Sequence, residues 1–283
     1  MKKYYDIKES RLINLDKEVC QLSEWVNEQK SSCLCAIHPD GFHIFTSPEE
    51  LAKSDEYNED DPYSVSDNIE SDFHQRRFKY TNKLIKQYAP NKKLKILDLG
   101  CGEGHLTGVI SQNQDHEVYG LDYSISAIEY ANKNFTGIDF VVADAYQPPY
   151  EDNYFDVVIC NNIWEHVPDP LSLLNQITRV INPGGLLIIS TPSRYRFGNV
   201  LRILVGIGTR FVSKLHVTEY SVGQVKEQLR FGGYEILDAS SPVIKEKNIF
   251  FTTLKWLMFL CIKAIRSPHI LEATVFYTAR KRK

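Results

Sequence analysis

From residue 76 onward, five short and almost wholly apolar runs alternate with helix-compatible segments, and this alternation limits the fold more than anything else in the sequence. The runs are 95–99 (KILDL), 118–121, 140–143, 155–160 and 186–190; the segments between them are 106–113, 124–134 and 171–181. A further helical segment at 78–88 is stopped by Pro90. Strands without polar alternation are buried on both faces, as in parallel sheets covered by helices. The pattern predicts a doubly wound α/β fold, whose ligands sit at the carboxyl ends of the strands.

Length and composition narrow the field. The 283 residues suffice for one large domain or a domain with an extension, and 43% hydrophobic content is that of a globular protein. A net charge of -3 gives no global field for gripping a polyanion, so nucleic acid is not the expected partner. Six dispersed cysteines and an N-terminus without an apolar signal segment predict a reducing, cytoplasmic location.

Residues 1–75 differ in texture, and from 48 to 72 there are ten acidic residues against one lysine. This predicts an N-terminal extension at 1–75 ending in an acidic linker, ahead of a main domain at 76–283. Apolar residues at 12, 15, 19, 22 and 26 predict an amphipathic helix there. Cys33 and Cys35 with His38 and His43 invite a zinc reading, but the C-x-C spacing is wrong for it. The Pro39-Asp40-Gly41 that follows predicts strand, turn and strand.

The first strand of the main domain runs into Asp98-Leu99-Gly100-Cys101-Gly102-Glu103-Gly104. Glycines at 100 and 102 permit a tight turn and close approach of a ligand to the main chain, and the helix start that follows favours an anionic or polar group. A dinucleotide fingerprint would place its third glycine at 105, where His105 stands, which counts against NAD. Asp122 ends the second strand 24 residues after Asp98, near the spacing at which a carboxylate receives ribose hydroxyls. Asp144 follows the third strand, where a carboxylate or its neighbouring amides can receive an adenine amine. Each of the three could singly be a helix cap or turn residue.

Residues 96–107 (ILDLGCGEGHLT), Asp122, the Val142-Ala143-Asp144-Ala145 segment, 161–169 and Pro183-Gly184-Gly185 together resemble the class I S-adenosylmethionine-dependent methyltransferases. The resemblance covers about 76–240 and implies a Rossmann-like sheet of seven mostly parallel strands with an antiparallel last strand, 234–239 and 274–279 supplying the late ones. It implies S-adenosyl-L-methionine as cofactor, with Asp98, Gly100, Cys101, Gly102 and Gly104 at its methionine end. Asp122 would hold the ribose, Tyr123 would flank the adenine, Asp144 and Ala145 would bind its edge, and Asn161 would lie beside the reacting methyl.

Residues 163–169 (IWEHVPD) are similar to the small-molecule branch that includes ubiquinone-biosynthesis O-methyltransferases. That branch holds a divalent metal through two glutamates and a histidine; Glu165 and His166 match, but Asn162 replaces the other glutamate, and no metal site is expected. His166 is either a pocket-shaping histidine or a catalytic base, and His216 either a second base or a surface histidine. The expected reaction is methyl transfer to a small, lipophilic or anionic acceptor, with oxygen as the atom methylated. A tRNA-modifying enzyme and a non-catalytic protein that keeps the cofactor pocket are the alternatives.

Two insertions, at about 192–220 and 242–270, would build the acceptor side. No acidic residue occurs from 171 to 218, while basic residues punctuate an apolar sequence. The segment 249–266 is greasy with Lys255, Lys263 and Arg266 interspersed. It is compatible with peripheral contact at the inner face of a membrane, with closure over a hydrophobic substrate, or with packing as a core helix.

Overall fold

The computed structural model describes residues 3–26, 33–54, 72–90, 93–112, 116–241 and 273–283, together with Thr253 and Leu257. The segment 249–266 lies, but for those two residues, outside the described part. The chain forms two compact units, Met1–Ile159 with Ser172–Leu186, and Cys160–Leu171 with Leu187–Lys283.

In the first unit the described residues of the N-terminal extension form five short strands and two helices. These are β1 (Tyr5–Asp6), β2 (Arg11–Leu12), β3 (Val19–Gln21), α1 (Leu22–Val26), β4 (Cys35–Ile37), β5 (His43–Ile44) and α2 (Pro48–Ser54). The amphipathic helix expected from 12 to 26 is not formed. The Asn14 carbonyl receives the amides of Lys17 and Glu18, and Glu18 binds Arg11 and the Asn14 amide, closing a loop where the helix would begin. Val19–Gln21 then pairs in parallel with Cys35–Ile37, a tertiary contact that overrides local propensity. Around Pro39-Asp40-Gly41 the strand, turn and strand expected are present, β4 and β5 pairing antiparallel.

The main domain follows the predicted alternation: α3 (Asp72–Tyr88), β6 (Lys95–Leu99), α4 (His105–Gln112), β7 (Glu117–Asp122), α5 (Ile125–Asn134), β8 (Asp139–Val142), β9 (Phe155–Asn161), α6 (Pro170–Val180) and β10 (Ile181–Pro192). Strands of the first unit lie in the order β3-β4-β5-β8-β7-β6-β9, and β5 joins β8 in parallel, so the extension continues the sheet. Phe42 and Ile44 of the extension share one buried cluster with Ile128, Ala131, Phe140 and Val142. Each such side chain, fully buried, contributes roughly 1.5–3 kcal/mol, which fastens the extension to the sheet edge.

The second unit, which β10 enters at Leu187, contains α7 (Phe197–Leu204), α8 (Val222–Phe231), β11 (Tyr234–Ser240) and β12 (Thr274–Lys281), with strand order β10-β12-β11. β12 runs antiparallel to β11, as the family resemblance implies for the last strand. A capping box, in which Ser221 and Gln224 exchange side-chain bonds with each other's backbone, starts α8. Trp164, completely buried, donates to Gln228 of this helix at 2.8 Å.

Candidate functional site

The carboxyl ends of three adjacent parallel strands each carry an acid: Asp98 in β6, Asp122 at the end of β7, and Asp144 two residues after β8. β6 lies between β7 and β9, so the direction of winding changes beside it, and a crevice opens at such a switch point.

Asp122 organises the glycine turn. Its Oδ2 accepts from the Gly102 amide at 2.7 Å and its Oδ1 from the Ser124 amide at 3.0 Å, while the Gly100 and Cys101 amides donate to the Leu121 carbonyl. Gly102 has φ 53°, and Gly104, at φ 75°, is packed so closely that a Cβ there would lie 2.9 Å from that of Ala131. Both positions therefore require glycine. Asp98 is buried and accepts from the Thr107 hydroxyl at 2.7 Å. Burial pushes its carboxyl up to about 7, with Asp122 adding to the rise and Thr107 opposing it. Burial likewise pushes the Cys101 thiol up, which keeps it protonated and unreactive.

Asp144 accepts from the Tyr146 amide at 2.8 Å. Burial raises its carboxyl, the Tyr146 amide pulls it down, and Glu50 of the extension raises it further. The Tyr123 hydroxyl donates to the Glu50 carbonyl at 2.8 Å, so α2 is tied to the turn after β7. A cavity of about 150 Å³ lies beside Asp144, lined also by Phe45, Thr46, Glu50 and Gln147. Ala145 follows Asp144 in the same loop. That cavity is walled mainly by the extension and shares only Asp144 with the three acids, as neither Asp98, the glycine turn nor Asp122 lines it. The acids and the turn at the strand ends, rather than the cavity, suit a ligand with a cationic amino-acid end, vicinal hydroxyls and an aromatic amine. The glycine turn leaves room for its backbone contacts, and a buried carboxyl poised near neutrality answers a positive charge. The residues therefore fit S-adenosylmethionine.

The second unit holds the other candidates. Asn161 ends β9. Asn162, at φ 56°, accepts from the Ser190 hydroxyl at 3.0 Å and donates to Glu165 Oε1 at 2.9 Å. Its side chain is thus engaged in holding Glu165. Burial pushes the Glu165 carboxyl up, against hydrogen bonds from its own amide and Asn162. The Glu165 carbonyl receives the amides of Val217 and Thr218, which brings the neighbouring His216 onto His166 with ring centroids 4.8 Å apart and planes perpendicular. Burial, and then His216, lower the His166 pKa, leaving that ring neutral at pH 7.

His216 places Nδ1 3.0 Å from Oε1 of Glu219. Glu219 is completely enclosed and also binds the Arg196 guanidinium and the Val212 amide. Burial pushes its carboxyl up, but His216, Val212 and Arg196 outweigh it and hold it below the ordinary value. Glu219 and Arg196 were not singled out from the sequence. The His-x-x-Glu spacing at 216–219 was the available signal, and it is too common to stand alone. Glu50 was likewise not singled out, its partner Tyr123 being distant in sequence, and Thr107, although within the motif at 96–107, was not assigned its bond to Asp98. Donor atoms of Glu165, His166 and His216 lie within 4.8 Å of one another, so these three could hold a metal ion.

Residues 90–239, just over half of the chain, match the family described as "Methyltransferase domain". A probable S-adenosylmethionine-dependent methyltransferase of Mycolicibacterium smegmatis is 28% identical over 143 residues, covering 50% of this chain and 52% of that one. The ubiquinone biosynthesis O-methyltransferase of Aliivibrio fischeri is 35% identical over 105 residues, covering 35% and 44%. This chain therefore spans about half the length of these curated relatives. Among solved structures, the magnesium protoporphyrin IX methyltransferase of Synechocystis with bound SAH superposes with a TM-score of 0.53 at 16% identity, covering 74% of this chain and 83% of that one. That likeness is one of fold.

Proposed function

This chain belongs to the methyltransferase-domain family, in its class I S-adenosylmethionine-dependent form, and on that premise we propose that it methylates a hydroxyl of a small, lipophilic or anionic acceptor. The observation that carries the oxygen assignment is the Glu219-His216-His166 array, which has the parts of a general base. S-adenosylmethionine supplies the methyl on a sulfonium, an activated leaving group, so the protein must mainly position the acceptor and remove its proton.

His216 is the base in this reading. A carboxylate at Nδ1 fixes the tautomer with the proton on that nitrogen, leaving the Nε2 lone pair to accept a proton. The imidazolium that forms is stabilised by Glu219, whose negative charge is secured by Arg196 and the Val212 amide. His166, neutral at pH 7, adds no repulsion to that charge. On the cofactor side, Asp98 and the 100–104 turn would hold the methionine end, Asp122 the ribose, Tyr123, Asp144 and Ala145 the adenine, and Asn161 the region of the methyl.

The test is transfer of labelled methyl from S-adenosylmethionine to panels of phenols, lipids, sugars and tRNA, using wild type, His216→Ala and His166→Ala. Loss of about 100-fold or more in kcat for His216→Ala, at unchanged cofactor affinity, is expected for a lost general base. Unchanged turnover removes His216, and labelling of an amine or of tRNA replaces the oxygen assignment.

A second reading has its own observation, the convergence of Glu165, His166 and His216 donor atoms. If the histidines act as bases, exhaustive chelation leaves turnover unchanged. Loss on chelation with recovery on adding zinc or magnesium would make them ligands instead.

A further inference from the structure

Among the described residues, fifteen large hydrophobic side chains are exposed, and eight of them fall between Ile203 and Val217. Leu204 is 71% exposed, Val205 70% and Val212 59%, values far from those of a packed loop. Concentrated apolar exposure of this kind marks a contact surface.

The ridge is not a loosely held segment. Asn199, itself buried, donates to the carbonyls of Arg194 and Arg210 and accepts from the Arg210 amide. Arg196 also donates to the Arg210 carbonyl, Arg202 donates to the Gly208 carbonyl at 2.8 Å, and Glu219 receives the Val212 amide. The buried Asn199 and Glu219, with the partly exposed Arg196 and Arg202, thus fasten the backbone while the apolar side chains stay in water.

Charge identifies what covers it. Arg210 and Lys214, both exposed, stand among the apolar residues, the partly exposed Arg202 immediately precedes them and Arg194 packs over the Phe211 ring, and no acidic residue occurs from 171 to 218. An apolar surface studded with cations and lacking anions complements an anionic lipid headgroup layer, into which apolar side chains enter while guanidinium and ammonium groups meet phosphates. No helix among the described residues is long and apolar enough to cross a membrane.

We propose that the ridge from Ile203 to Val217 docks this chain on an anionic lipid bilayer. The inference does not depend on the acceptor or base proposed above, and its test uses neither cofactor nor turnover. The full chain is sedimented with vesicles of phosphatidylcholine, with and without phosphatidylglycerol, beside the double variant Leu204→Asp with Val205→Asp and the charge variant Arg210→Glu with Lys214→Glu.

Wild type is expected to bind phosphatidylglycerol vesicles at least about tenfold more tightly than neutral ones, with binding weakened by salt, and each variant to lose about tenfold or more. The substituted side chains are exposed or partly so, and an unchanged melting temperature verifies folding; two independent variants guard against failure of one. Wild type that stays in the supernatant overturns the proposal. Binding that survives both variants places the contact elsewhere and overturns it too. So does a concentration-dependent dimer, seen by light scattering, that the aspartates dissociate while vesicle binding is absent.

Discussion

The Nδ1 of His216 and Oε1 of Glu219 lie 3.0 Å apart, and the carboxylate is completely enclosed. Because Glu219 also receives the Arg196 guanidinium and the Val212 amide, one buried charge both orients the candidate base and fastens the insertion that contains it.

Removing that charge should act on both. For Glu219→Gln we expect a loss of roughly 3 kcal/mol at pH 7, the scale of a buried ion pair left with one partner, read by urea unfolding. The sign of the pH dependence follows from the depressed carboxyl. The stability it contributes is present above the ordinary carboxylate value and lost as pH falls through the lower folded value. Wild type should therefore lose stability relative to the Gln variant below about pH 4. Parallel acid unfolding of the two proteins would contradict the assignment.

Asp98 has the opposite sign. Its carboxyl, raised to about 7, favours the folded state most when protonated, so its contribution is full below the unfolded value near 4 and is lost as pH rises through about 7. A ligand with a cationic end prefers the ionised form. Binding of S-adenosylhomocysteine should be about tenfold weaker at pH 6 than in the ionised limit, if the carboxyl titrates near 7. Asp98→Asn should remove that slope. Equal slopes in the two proteins would separate Asp98 from the ligand.

Gly104→Ala tests the turn itself. A Cβ there meets Ala131 at 2.9 Å and the Phe140 ring at 3.0 Å on a backbone of φ 75°. Overpacking of this kind costs about 1–3 kcal/mol, and the turn must shift to relieve it. A lowered melting temperature together with weakened cofactor binding is expected; binding unchanged at wild-type affinity would show that the turn does not touch the ligand.

Much of the main domain was legible in the sequence because its strands are buried on both faces and so contrast with the helices between them. Asp98, Asp122 and Asp144 were legible for a related reason, since each stands just where an apolar strand gives out. Less was legible where pairing is decided at long range. The spacing from 12 to 26 suits a helix, yet Val19–Gln21 became a strand through its partner Cys35–Ile37. The extension reaches Asp144 because β5 pairs in parallel with β8, which no local pattern records. Glu219 was hidden for the same reason, its partners Arg196 and Val212 being brought to it by the folded insertion.

Calorimetric titration with S-adenosylmethionine, wild type beside Asp122→Ala, tests the cofactor assignment most directly. The carboxylate also holds the Gly102 amide, so the melting temperature of each protein is recorded with the titration. Micromolar binding by wild type, lost in a variant that remains folded at the titration temperature, is the predicted result. Absence of binding by wild type to either S-adenosylmethionine or S-adenosylhomocysteine would contradict it.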